Sequence, residues 1–328
     1  MPLPIVTVLH DGRPPPHLDR IRELAIVRPT RAGDLPETLR GSQALLAWDF
    51  RAAALADSWD AANELRWIHT ASAGVDNVLT EEVLASDIVV TNSRGVFDAA
   101  IAEYVLGLVL MFAKDFPGSW QRQQERRWEH RDTETVVGRI ALVVGVGPIG
   151  REIARKLRAV GMQVRGVGRH GRSGDPDFGD VAASEDLTQL LPEADLVVLA
   201  APLTRQTRGM IDAAALAACK PSARLINVGR GELVVEDDLL AALRAGRLAG
   251  AALDVFGTEP LPSDSPWWDA PDTFVSPHMS ADVVGWREAL VDLFLGNLER
   301  WRAGQPLRNV VDKSAGYVTS PDSVTGKP

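Results

Sequence analysis

Within ALVVGVGPIGREIARKL, Gly145, Gly147 and Gly150 stand at the spacing G-x-G-x-x-G. Between a strand and a helix, such glycines allow a tight turn, a backbone that phosphate can approach and a close helix contact, with the anion on the helix N-terminus. The spacing alone is weak. The apolar run before it, the helical run after it and the strand–helix repeats that follow make a dinucleotide the expected occupant, with Pro148 and Ile149 in the same loop. A glycine-rich turn without a ligand is the plain alternative.

Roughly twenty residues past such a fingerprint, an Asp or Glu is expected to hold the adenosine ribose hydroxyls. The stretch RGVGRHGR, Arg165 to Arg172, has Gly168 at that place, followed by Arg169, His170 and Arg172. Absence of the acid removes a charge that would repel a 2′-phosphate, and guanidinium groups suit that phosphate. The expectation is a preference for NADP(H), with NAD(H) possible; the alternative is a set of solvated loop charges.

Three later motifs follow strand-like runs: INVGRGELV with Arg230, ALDVFGTEPLP with Asp254 and Glu259, and VSPHMS with His278. Singly, each has a bland reading as a surface charge or a satisfied loop histidine. Beside a nicotinamide site they supply an anion anchor, a proton donor and a carboxylate to orient that donor.

The elements that must position these residues read as two series of alternating strands and helices. PIVTVLH, ELAIVRP, ALLAWDF, LRWIHTA and DIVVTNS make the first series; RIALVVGVG, QVRGVGR, ADLVVLAAP, ARLINVG and LAGAALDVF make the second. Both predict parallel sheets in an α/β fold. DAAIAEYVLGLVLMFAKDF, Asp98 to Phe116, reads as one buried crossing helix, and EDDLLAALRAG as an amphipathic one. A length of 328 residues suits two domains. A net charge of −9 argues against nucleic acid and anionic membranes. No apolar run is long enough for a membrane span, and no secretory signal stands at the start, so a cytoplasmic protein is expected. The lone Cys219 excludes an internal disulfide, and the six histidines never pair at metal-ligand spacing, so no metal is expected.

With the fingerprint, SAGVDNV (Ser72 to Val78), APLTRQTRGMI, INVGRGELV, LDVFGTEPLP and SPHMS in this order, the sequence resembles the D-isomer-specific 2-hydroxyacid dehydrogenase family over nearly its whole length. The resemblance implies two doubly wound parallel-sheet domains. A Rossmann dinucleotide-binding domain at 99–287 would be inserted in a flavodoxin-like substrate domain made of 1–98 and 288–328. It implies a catalytic trio of Arg230, Glu259 and His278, and substrate contacts from the Ala73-Gly74-Val75 turn, with domain closure over the substrate. It also implies cofactor contacts from Pro202, Thr207, Val228, Gly229 and Asp254, the last to the nicotinamide carboxamide. The implied activity is reduction of a small 2-keto acid, of the glyoxylate or hydroxypyruvate type, by NADP(H). A homodimer is implied, with AAIAEYVLGLVLMFAKDF and SWQRQQERRW as candidate contacts. Relatives of this fold also act as dinucleotide-sensing corepressors, the alternative of another class.

Three places depart from the family pattern or stand apart from it. Gly229 stands where relatives often have Ala or Ser, and Gly168 where the acid is common. Ser93 and Arg94 replace a frequent Thr-Pro, with Arg94 read as a surface loop charge more readily than as a cleft residue. The tail DKSAGYVTSPDSVTGKP is expected to be mobile.

Overall fold

The computed structural model describes residues 2–50 and 52–319; the last residues of the tail, 320–328, lie outside it, and with them part of the mobility expectation. The chain divides into two units, Met1–Phe97 with Val283–Pro328, and Asp98–Asp282.

In the first unit, β1 (Ile5–Leu9), β2 (Ile26–Thr30), β3 (Ala44–Ala47), β4 (Trp67–Thr70) and β5 (Val89–Thr91) alternate with short helices. These are α1 (Leu18–Arg22), α2 (Leu35–Leu39), α3 (Ala54–Asp57) and α4 (Glu81–Ala85). The strands form one parallel sheet in the order β2-β1-β3-β4-β5, which is the flavodoxin-like order. β3 and β4 are buried at every position, as strands covered on both faces must be, hence the unbroken apolar run ALLA of β3, whereas β4 buries the polar His69 and Thr70 after Trp67 and Ile68.

Residues from the far end of the sequence complete this core. In α11 (Trp286–Arg302), Val291, Phe294 and Leu298 are fully buried, and the Phe294 ring stacks on Trp67 with centroids 5.2 Å apart. Beyond α11, Val310 bridges to Thr91, and Lys313 Nζ donates to the carbonyls of Val83 and Ser86 at the end of α4. His69, a polar side chain in this interior, has its Nδ1 2.8 Å from Thr91 Oγ1 and its Nε2 3.4 Å from Ser93 Oγ. Burial pushes its pKa down to about 3, because no charge nearby offsets the cost of an imidazolium in an apolar interior.

The second unit holds β6 (Ile140–Val144), β7 (Gln163–Gly168), β8 (Arg172–Asp175), β9 (Gly179–Ala183), β10 (Leu196–Leu199), β11 (Arg224–Asn227), β12 (Gly250–Leu253) and β13 (Thr273–Val275). Its helices are α5 (Asp98–Ala113), α6 (Phe116–Gln124), α7 (Pro148–Ala159), α8 (Leu187–Leu190), α9 (Ala213–Ala218) and α10 (Glu236–Arg244). The sheet order is β13-β12-β11-β10-β6-β7-β9-β8. All neighbours are parallel except β8, which runs antiparallel to β9 at the edge. The order reverses at β6, the switch point of a Rossmann fold.

The structure corrects the element expectations in two places. The single helix expected over Asp98 to Phe116 ends at Ala113. Asp115 takes a left-handed φ of 47° and its carboxylate accepts from Gly118 N, starting α6, with Pro117 in the new helix's first turn. The hairpin β8–β9 falls on RSGDPDFGDVAA, too polar and too rich in Gly and Asp to read as strands. No helix among the described residues is long and apolar enough to cross a membrane, and none of their His, Cys, Asp and Glu side chains group to hold a metal.

Candidate active site

The fingerprint occupies the junction of β6 and α7. Gly145 has φ +107°, and a Cβ there would lie 2.5 Å from the Ala200 carbonyl. A Cβ on Gly150 would lie 1.8 Å from the Gly145 oxygen. Both glycines are therefore required by the protein's own packing. Gly147 differs, since a Cβ on it would meet nothing within 4 Å. That open space lies at the N-terminus of α7, whose first N–H groups have no partner within the helix. Pro148 and Ile149 begin that helix. The residues present fit the pyrophosphate of a dinucleotide.

At the end of β7, the space a side chain on Gly168 would take is already lined. A Cβ would lie 2.9 Å from Val146 Cγ2, 3.1 Å from Val181 Cγ1 and 3.6 Å from Arg172 Nη1. Glycine at 168 is thus a packing requirement as well as an absent charge. Arg169 and His170 are exposed. Arg172 is bound: its Nε and Nη2 lie 3.1 and 2.7 Å from Asp175 Oδ2.

Pro202 and Thr207 belong to a loop after β10 that closes on itself, Thr207 Oγ1 donating to the Pro202 carbonyl at 2.7 Å. After β11, Val228 is buried and Gly229 N donates to Asn227 Oδ1 at 3.1 Å, while Asn227 Nδ2 donates to the Arg230 carbonyl at 2.8 Å. This two-way clasp fixes the backbone of the Arg230 turn. Gly231 brings the turn against the loop after β12: a Cβ on it would lie 2.0 Å from the Phe256 carbonyl carbon. Arg230 Nη1 donates to Gly229 O at 2.9 Å.

Glu259 ends that neighbouring loop. Its Oε1 accepts from Phe256 N at 3.0 Å and its Oε2 lies 2.7 Å from His278 Nδ1. Glu236 of α10 braces the same loop, accepting from Gly257 N at 2.6 Å and from Trp267 Nε1 at 3.3 Å. His278 has φ +53°, a left-handed conformation uncommon for a residue with a Cβ. It is pinned there by its N–H, which donates to the Asp254 carbonyl at 2.7 Å.

The Asp254 carboxylate, 2% exposed, is turned onto the histidine loop. Oδ1 accepts from Ser276 Oγ at 2.7 Å and Met279 N at 2.9 Å, and Oδ2 from Ser280 N at 2.9 Å. Beside them, burial pushes the Tyr104 phenol up from its ordinary pKa, partly offset by the Ser276 hydroxyl. Asn227, Glu236 and Tyr104 were not singled out in the sequence; an Asn just before a Gly-rich turn is the one available signal.

Ala73, Gly74 and Val75 lie in the first unit, after β4. The carbonyls of this turn are held by side chains: Asn92 Nδ2 donates to Ala73 O at 2.6 Å and Ser72 Oγ to Gly74 O at 2.6 Å. Arg94 Nη1 donates to Val318 O at 3.1 Å, tying the β5 loop to the returning tail.

Residues 106–280 match the family model described as D-isomer specific 2-hydroxyacid dehydrogenase, NAD binding domain. The chain is 33% identical over 263 residues to glyoxylate/hydroxypyruvate reductase A of Serratia proteamaculans, covering 77% of this chain and 82% of that protein. Its fold matches a D-isomer specific 2-hydroxyacid dehydrogenase family protein of Aeromonas salmonicida with a TM-score of 0.80 at 34% identity, covering 95% and 99% of the two chains. The NADPH-dependent glyoxylate/hydroxypyruvate reductase of Sinorhizobium meliloti, solved with NADP and sulfate, matches with a TM-score of 0.80 at 27% identity, over 96% and 100%.

Proposed function

The chain belongs to the D-isomer-specific 2-hydroxyacid dehydrogenase family, and from that premise we propose that it reduces a small 2-keto acid, of the glyoxylate or hydroxypyruvate type, with NADPH. The observation that carries this reading is the Glu259–His278 pair, 2.7 Å apart, on loops that follow strands of the sheet bearing the fingerprint. The similar reductase of Sinorhizobium meliloti, solved with NADP, supports NADP(H), as do the exposed Arg169 and the absence of an acid at the end of β7.

Held at the Gly145–Gly150 turn, NADPH would supply a hydride for the keto carbon. Arg230 holds the substrate carboxylate and polarises the keto oxygen. His278 donates a proton from Nε2 to that oxygen, since Nδ1 faces Glu259, and the product is the alcohol. The Glu259 charge stabilises the imidazolium and fixes the ring's orientation. Asp254 holds the histidine loop, and its nicotinamide contact stays a proposal, as do the backbone donors of Ala73, Gly74 and Val75, the linings at Pro202, Thr207, Val228 and Gly229, and the cofactor and substrate domains at 99–287 and at 1–98 with 288–328.

A homodimer is proposed as well, supported by exposed indoles on and beyond α6: Trp120 is 65% exposed and Trp128 wholly so. Light scattering at working concentration tests it. A reducing, cytoplasmic setting is supported by the lone Cys219, whose thiol burial pushes up to about 11.

The reaction is tested by initial rates with NADPH and NADH across glyoxylate, hydroxypyruvate, pyruvate and bulky aryl keto acids. Turnover of a small keto acid favouring NADPH is expected. Binding of NADPH without turnover of any keto acid would overturn the reading in favour of a sensor.

A further inference from the structure

Three arginines of α7, Arg151, Arg155 and Arg158, share one face at i, i+4 and i+7. All three reach the turn between β8 and β9. Arg151 forks onto Asp175, with Nη1 to Oδ1 at 2.8 Å and Nη2 to Oδ2 at 2.7 Å, and also meets Asp177 Oδ2 at 2.8 Å. Arg155 Nε binds Asp177 Oδ1 at 2.7 Å, and Arg158 donates to the Asp177 carbonyl.

Asp175 joins this cluster to the end of β7. Its side chain is 2% exposed, and the guanidinium groups around it, Arg151 first, hold its carboxyl well below the usual carboxylate range. From the other side it takes Nε and Nη2 of Arg172. Arg172 Nη1 makes no hydrogen bond among the described residues. It lies 3.6 Å from where a Gly168 Cβ would stand, the place of the absent ribose acid. Arg169, by contrast, has no hydrogen-bond or ion-pair partner among the described residues.

We propose that Asp175 is a positioning residue for cofactor selectivity: locked by Arg151, it holds Arg172 across the end of β7 with one edge of the guanidinium turned outward for a phosphate monoester. This rests on the NADPH reading. An acid beside a phosphate site would ordinarily repel the ligand. Here its charge is answered by two guanidinium groups, and four arginines against Asp175, Asp177 and the Glu152 that pairs with Arg155 leave the cluster net positive. What Asp175 contributes is order, because a long flexible arginine held in place beforehand loses less freedom on binding.

The test compares wild type, Asp175→Asn, Arg172→Ala and the double variant by the ratio of kcat/KM with NADPH to that with NADH. Asp175→Asn is expected to lower the ratio by about tenfold, carried by KM for NADPH, since an unheld arginine must be ordered at binding. Arg172→Ala is expected to lower it similarly, and the double variant no further, because both act through one guanidinium. A merely structural role would weaken both cofactors alike and leave the ratio unmoved. An unchanged or raised ratio in Asp175→Asn, or additive losses in the double variant, would overturn the inference alone. A wild type without preference for NADPH would overturn the cofactor reading itself.

Discussion

His278 Nδ1 lies 2.7 Å from Glu259 Oε2, and both partners are anchored by backbone of the one loop that follows β12. Glu259 is held by Phe256 N of its own loop, and His278 by the Asp254 carbonyl. The pair therefore presents a ring of fixed orientation, which is what proton donation to a bound keto group requires.

Glu259→Gln keeps the shape and removes the charge. The rate of keto-acid reduction near neutral pH should fall roughly 100-fold, the scale of a compromised general acid, with KM for the cofactor little changed. Steady-state kinetics with near wild-type kcat would remove Glu259 from the mechanism.

Arg230→Lys should fail as a conservative change, because a lysine cannot offer two parallel donors to a carboxylate. A loss of roughly 100-fold in kcat/KM for the keto acid is expected. Partial recovery by added guanidine in Arg230→Ala would tie the loss to the missing group.

The fingerprint glycines should separate. Gly150→Ala places a Cβ 1.8 Å from the Gly145 oxygen and should prevent the second unit from folding normally. Gly147→Ala meets no protein atom within 4 Å, so its melting temperature should match wild type while the shift produced by NADPH disappears. Retention of that shift in Gly147→Ala would mean that the cofactor does not approach this backbone.

Asp254→Asn leaves an amide facing two backbone N–H groups and a serine hydroxyl, so one buried donor must lose its partner. A cost of about 2 kcal/mol in stability is expected, together with reduced turnover from a loosened His278 loop. Denaturant titration and kcat measured on the same preparation check both parts.

His69 should make the protein sensitive to acid. Its folded pKa of about 3 lies below that of an unfolded histidine, near 6.5. The unfolded chain therefore takes the proton first. The stabilisation is complete above about pH 6.5 and is lost as pH falls toward 3, at up to about 1.4 kcal/mol per pH unit. Urea midpoints between pH 7 and 5 should fall more steeply for wild type than for His69→Gln; parallel slopes would refute this.

The α/β architecture was legible because its strands are short, apolar and bounded, as in ALLA and LVVL, and because the fingerprint must sit between a strand and a helix. Glu259 and His278 were legible as residue types in ordered motifs. What holds them was not: Glu236 acts through an amide of the loop after β12, twenty-one residues away, while the local clasp of Asn227 on its own turn left only the Asn before a Gly-rich turn as a signal. The β8–β9 hairpin was hidden for a related reason. Its polar sequence carries little strand signal, and it is fastened by α7 arginines some twenty residues earlier, a pairing that no local periodicity announces. The sequence therefore offered Arg172 as a donor to a 2′-phosphate or as a solvated loop charge, with no sign that Asp175 holds its Nε and Nη2.

The stacking of Phe294 on Trp67 sets an order of assembly during synthesis. When β1 to β5 have left the ribosome, the face of their sheet that α11 covers still has no cover, because Val291, Phe294 and Leu298 are translated about two hundred residues later. The second unit, made of consecutive residues, has all its strands available sooner. It is thus the later-made unit that can close first, while the earlier-made one waits on a nascent chain with an apolar surface that chaperones are suited to shield.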